Sequence, residues 1–164
     1  MAHTLLLAEP SLTIQRVVQL TFASEDIDVV VVTEGSEAMA LAVRLHPDVV
    51  LADVSLGLHS GYEVALFVRN HPALQDVRVV LLSGAFERVD HGRASDVGCD
   101  LVLTKPFDPV KLLAEVKGLL RPQPQGRAVV EAPAVEPVPE PSLGARPPVQ
   151  PAPVVPAPIR ERGP

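Results

Sequence analysis

Five short apolar runs recur along the first two thirds of the chain, at residues 4–8, 27–32, 49–52, 77–82 and 101–104. They are rich in Val and Leu and largely continuous, where a half-exposed strand would alternate apolar with polar. Such runs read as strands covered on both faces, which is the condition of a parallel sheet. A parallel sheet needs a crossover between successive strands, and the intervening segments supply helical patterns. Ile14, Val17, Val18 and Thr21 follow helical spacing, and Pro10 suits the first turn, where a missing N–H costs nothing. Ala38, Leu41, Ala42 and Leu45 line one face of a second helix from Ser36, which Pro47 stops. The third helix opens at Gly61, carries Val64, Ala65, Phe67 and Val68, and ends at His71-Pro72. The fourth, about 86–97, has many charges and few apolar residues before the stop at Gly98. The fifth follows Pro109, with Val110, Leu113, Val116, Lys117 and Leu120 as the expected inner stripe.

A (βα) unit repeated five times with right-handed crossovers gives an α/β fold, a doubly wound parallel sheet with helices on both faces. Hydrophobic residues make up 47% of the chain but aromatics only 3%, so the core is expected to be aliphatic. Composition changes near Arg121. Thirteen of the 18 prolines fall from Pro122 onward, and no aromatic residue does. That density sustains neither helix nor central strand, so residues 1–121 read as the folded domain and 122–164 as a Pro-rich disordered tail. Stretches such as Pro147-Pro148-Val149-Gln150-Pro151 have the character of a ligand for a proline-recognising partner.

A net charge of −6 argues against nucleic-acid binding by the whole chain. The lone Cys99 excludes an internal disulfide and a cysteine-rich zinc site. The N-terminus has no basic segment followed by an apolar one, and no apolar run nears the roughly 18 residues that span a bilayer. The expectation is a cytoplasmic protein with no membrane partner.

Doubly wound sheets place their sites at the carboxyl ends of the strands. There the sequence has Glu9 after the first run, Asp53 after the third, Ser83-Gly84 after the fourth and Lys105-Pro106 after the fifth. Each alone is an ordinary cap or turn residue. Together they have chemical sense. A carboxylate can attack a phosphoryl group to give an acyl phosphate, and an ammonium with a divalent cation can supply the countercharge. A hydroxyl can donate to a phosphoryl oxygen.

On these residues the chain resembles the receiver domain of bacterial response regulators. Leu5-Leu6-Leu7-Ala8-Glu9-Pro10-Ser11 resembles the first strand and acidic pocket, and Pro47-Asp48-Val49-Val50-Leu51-Ala52-Asp53 the strand leading to the phosphoacceptor. Gly61-Tyr62-Glu63 resembles the start of the third helix, Val79 to Ala85 the strand that ends in the switch hydroxyl, and Lys105-Pro106-Phe107 the Lys-Pro-Phe element, whose Lys-Pro peptide is usually cis. The resemblance covers residues 4 to about 120. It implies a chemotaxis-regulator-like, flavodoxin-like fold of strand order 2-1-3-4-5, with Asp53 as phosphoacceptor, Ser83 as switch hydroxyl and Lys105 as phosphoryl-binding lysine. It implies Mg²⁺ held by Glu9, Asp53 and the backbone carbonyl of Ser55, and a histidine kinase or phosphotransfer protein as donor. Output would run through the face of the fourth helix, fifth strand and fifth helix to another protein.

Three positions depart from the family pattern. Pro10 replaces the second acid of the acidic pocket, which predicts weaker metal binding. Val102 replaces the usual switch aromatic, and Gly57 stands in the acceptor loop where proline is frequent. Two readings follow: a single-domain response regulator in a phosphorelay, or a pseudo-receiver that binds proteins without phosphorylation. Neither is an enzyme beyond self-catalysed phosphoryl transfer and hydrolysis. A phosphatase of similar topology would want a second Asp two residues after Asp53, where Ser55 stands, and no Gly-rich nucleotide loop is present. The tail lacks the pattern of a helix-turn-helix effector.

Overall fold

The computed structural model describes residues 2–122. Five strands, β1 (His3–Ala8), β2 (Ile27–Val32), β3 (Val49–Asp53), β4 (Arg78–Ser83) and β5 (Leu101–Thr104), form one parallel sheet of order β2-β1-β3-β4-β5. Five helices connect and follow them: α1 (Leu12–Phe22), α2 (Gly35–Leu45), α3 (Gly61–Asn70), α4 (His91–Asp96) and α5 (Pro109–Leu120). The expected strand order and the doubly wound, flavodoxin-like topology are those observed. The expected tail lies outside the described residues apart from Pro122.

The continuous apolar runs are explained by two cores, one on each face of the sheet. Alternate strand residues Leu6, Ala8, Val50, Ala52, Val79 and Leu81 pack under α2, α3 and α4 with Ala38, Ala42, Val64, Ala65 and Val68. The other set, Leu5, Leu7, Val49, Leu51, Val80 and Leu82, packs under α1 and α5 with Val18, Phe22, Leu112 and Val116. Each fully buried leucine stabilises the fold by roughly 1.5–3 kcal/mol relative to an exposed one.

Three helices differ from the expectation. Pro10 is outside α1: Ser11 is the N-cap, its hydroxyl accepting from Ile14 N–H, so the chain turns one residue later than the proline suggested. The segment expected as a helix from residue 86 is helical only over six residues, from His91, with Asp90 as N-cap. Phe86 finds no apolar cover and is fully exposed, so nothing holds a longer amphipathic helix to the sheet. In α5 the buried pair is Leu112 and Val116, four apart, while Val110 is 75% exposed. The Lys117 ammonium pairs with Glu25 at 2.5 Å.

The register sets the site. Ala8 pairs with Ala52, so Glu9 and Asp53 leave β1 and β3 at the same level. Asp53 pairs with Leu82, and Ser83 with Thr104, so each strand toward β5 delivers its functional residue one step further on. Among the described residues no helix is long and apolar enough to cross a membrane.

Candidate functional site

Asp53 ends β3, buried in the sheet, and its carboxylate is held from two directions. Oδ1 accepts from Ser55 N–H at 2.6 Å, and Oδ2 contacts the Lys105 ammonium. The same ammonium lies 3.2 Å from Glu9 Oε2. Glu9 is fully buried, and its other oxygen accepts from Ser11 N–H at 2.9 Å. Gln15 of α1 donates to the Glu9 carbonyl at 2.7 Å, which fixes the turn that carries the acid.

Two carboxylates thus share one ammonium. Burial pushes the Glu9 carboxyl above its ordinary value, reinforced by Asp53 and opposed by Ser11 N–H and Lys105. Burial alone would lower Lys105, but the Asp53 and Glu9 carboxylates win and hold the ammonium above its ordinary value. Ser83 lies between these strands. Its Oγ is buried and, among the described residues, has no hydrogen-bond partner. Its carbonyl accepts from Lys105 N–H at 2.7 Å, and the Lys105–Pro106 peptide is cis.

Glycines shape the approach. A Cβ on Gly61 would lie 2.4 Å from the Asp53 carbonyl oxygen, so only glycine lets α3 begin against the end of β3. Ser60 and Glu63 close a capping box there, with Ser60 N–H donating to Glu63 at 2.7 Å. Gly57 adopts φ 83°, which proline cannot, and this accounts for its place in the loop after β3.

Glu9, Asp53, Ser83 and Lys105 therefore gather at the carboxyl ends of the strands, and Lys105 contacts both Glu9 and Asp53. Glu87 was missed. Its carboxylate accepts from Ser55 Oγ and, at 2.8 Å, from Gly84 N–H, which puts a third acid beside the site. The available signal was an acid three residues after a turn glycine, the spacing at which a carboxylate reaches back to a backbone N–H. Tyr62 of α3 accepts from Asp90 N–H at 3.3 Å, and the Arg93 guanidinium sits 4.6 Å from its ring centre.

The donors Glu9, Asp53 and the Ser55 carbonyl are hard oxygens carrying one more negative charge than Lys105 neutralises. That set fits a hard dication that retains several waters. Among the described residues no three His, Cys, Asp or Glu are grouped to hold a metal by themselves.

A family profile described as the response regulator receiver domain matches residues 5–117. Protein PilG of Pseudomonas aeruginosa is 28% identical over 109 residues, covering 66% of this chain and 81% of PilG. The signal receiver domain of a signal transduction histidine kinase from Syntrophus aciditrophicus superposes with a TM-score of 0.67 at 27% identity, covering 77% of this chain and 99% of that one. The receiver domain of a sensor histidine kinase from P. aeruginosa, solved with a magnesium ion coordinated in its active site cleft, gives a TM-score of 0.66 at 23% identity. It covers 73% of this chain and 98% of that one, and at that identity it shows a shared fold alone. The chain spans about half the length of several other curated relatives it matches.

Proposed function

Because the chain belongs to the response regulator receiver domain family, we propose that it is a receiver whose Asp53 accepts a phosphoryl group from a histidine kinase or phosphotransfer protein. Receiver domains are signalling modules rather than classical enzymes, and they generally bind Mg²⁺. The observation that carries the proposal is Asp53 itself: a buried carboxylate in contact with an ammonium, near the Ser83 hydroxyl, which has no partner among the described residues. In this reading residues 1–121 are the receiver and 122–164 a Pro-rich tail, in a cytoplasmic setting without nucleic-acid or membrane partners.

Each residue has a chemical task. Asp53 supplies the attacking oxygen. Lys105 neutralises the charge gathered on the transferring group, and Ser83 donates to one of its oxygens. Glu9, Asp53 and the Ser55 carbonyl would hold Mg²⁺, which when bound withdraws charge from the phosphoryl oxygens. Output to a partner protein would use α4, β5 and α5. The six-residue α4 has one buried side chain, Ala94, which makes it the helix least held to the sheet.

A second reading, the pseudo-receiver, is favoured by two observations. Pro10 is exposed beside Glu9 and contributes no carboxylate. Val102, partly buried against a core cluster, has no ring of its own to change rotamer. Incubation with acetyl phosphate and Mg²⁺, read by intact mass, separates the readings. A single added phosphoryl supports the receiver, and none supports the pseudo-receiver.

A further inference from the structure

Glu87 lies in the connection 84–90 between β4 and α4, outside every strand and helix. Its carboxylate nevertheless has a defined place. One oxygen accepts from Ser55 Oγ and the other from Gly84 N–H at 2.8 Å, while Glu87 N–H returns a bond to the Gly84 carbonyl at 3.1 Å. Both donors belong to the acceptor pocket. Ser55 N–H is bonded to Asp53 Oδ1 at 2.6 Å, so Ser55 touches both carboxylates. Gly84 directly follows Ser83, whose hydroxyl has no partner among the described residues. The Ser55 hydroxyl first, then Gly84 N–H, with Lys105 at longer range, keep the Glu87 carboxyl below its ordinary value against a small opposing effect of burial.

An anion seated on an O–H and an N–H, within the field of an ammonium, occupies the groups that a phosphoryl group on Asp53 would need. Two anions cannot share them, because like charges a few ångströms apart repel and each donor proton serves one acceptor best. We propose that Glu87 is a built-in anionic gate, whose carboxylate holds the Ser55 and Gly84 donors until a phosphoryl group on Asp53 displaces it and frees residues 84–90. The inference rests on Asp53 being the acceptor. In transfer from acetyl phosphate, an Asp53 oxygen bonds to phosphorus as the bond from phosphorus to the acetyl oxygen breaks. Acetate leaves with that electron pair, and no proton is required.

The connection is built for such a release. Glu87 ties its first half to the β3 loop, and Asp90 N–H ties its end to Tyr62 at 3.3 Å, while Phe86 between them is fully exposed. A Cβ on Gly84 would lie 3.3 Å from the Glu87 carboxylate, so Gly84→Ala loosens the same contact without changing charge.

The test measures acetyl-phosphate labelling rates of the full chain and the amide shifts of Ser55 and Gly84. Glu87→Ala should label about three- to tenfold faster, the rate equivalent of losing one net hydrogen bond. Glu87→Gln, which removes the charge and keeps one acceptor oxygen for Gly84 N–H, should fall between Glu87→Ala and the parent chain, and Gly84→Ala should also be faster. Beryllofluoride added to the parent chain should move the Glu87 carboxyl carbon. An unmoved carboxyl carbon, or Glu87→Ala labelling no faster than a labelled parent chain, overturns the gate alone. Absence of labelling in every chain, with no beryllofluoride shift anywhere, overturns Asp53 as acceptor and the gate with it.

Discussion

Lys105 Nζ rests on Asp53 Oδ2, although the two residues leave strands that do not touch: β4 separates β3 from β5. The contact is a product of register, since Asp53 is level with Leu82 and Ser83 with Thr104. Lys105 then reaches back across β4 and continues to Glu9, two strands beyond.

Removing that ammonium should leave two buried carboxylates facing each other. We expect Lys105→Met to lower stability by roughly 1–3 kcal/mol, less than for a fully buried pair because the ammonium is partly exposed. Urea unfolding at neutral pH measures it. An unchanged midpoint would show that the two acids are relieved some other way.

Asp53→Asn should abolish acyl-phosphate labelling while leaving the fold intact, since the amide oxygen can still accept from Ser55 N–H. Intact mass after acetyl phosphate and Mg²⁺ is the readout. Persistent labelling of this variant would move the acceptor elsewhere.

Pro10→Asp should tighten Mg²⁺ binding by roughly 1–3 kcal/mol, the range of hydrogen bonds to charged groups. Pro10 is exposed and sits just before the Ser11 N-cap, where an acid also favours the start of α1. A Mg²⁺ titration followed by NMR shifts of Asp53 and Lys105 tests this. Equal affinities would mean that Glu9 already meets the need.

Gly61→Ala should destabilise by roughly 1–3 kcal/mol and slow labelling, because the new methyl overlaps the Asp53 carbonyl and the backbone must shift. Thermal melting and labelling rate together check it. A slower rate with an unchanged melting temperature would place the effect in the acceptor loop alone.

A chain ending at Arg121 should melt within a degree or two of the full chain, since among the described residues both core clusters end by Leu120. A drop of several degrees in differential scanning calorimetry would show that later residues stabilise the domain.

The strands and their order were legible because both faces are covered, which leaves uninterrupted runs such as Leu5-Leu6-Leu7-Ala8. Glu9, Asp53, Ser83 and Lys105 were legible because strand ends in this topology converge. What sequence obscured was decided by single side chains. Ser11 rather than Pro10 starts α1 because a hydroxyl cap outweighs proline's fit to the first turn. The stripe of α5 was legible at Leu113, Val116 and Leu120, which pack on the core, whereas only packing shows Leu112 buried and Val110 exposed. Glu87 was hidden because its partners, the Ser55 side chain and the Gly84 amide, are brought to it by a loop whose conformation no periodicity encodes.

Among the described residues the buried Ser83 hydroxyl has no hydrogen-bond partner, and this has a thermodynamic consequence. A buried polar group without a hydrogen bond raises the free energy of the state that contains it by about 1–3 kcal/mol. A ligand that brings an acceptor to the Ser83 hydroxyl would relieve a cost of that order. By linkage the gain is reciprocal: the same free energy opposes loss of the acceptor once it has arrived. The persistence of a loaded state is thus encoded partly in a bond the empty state leaves unmade.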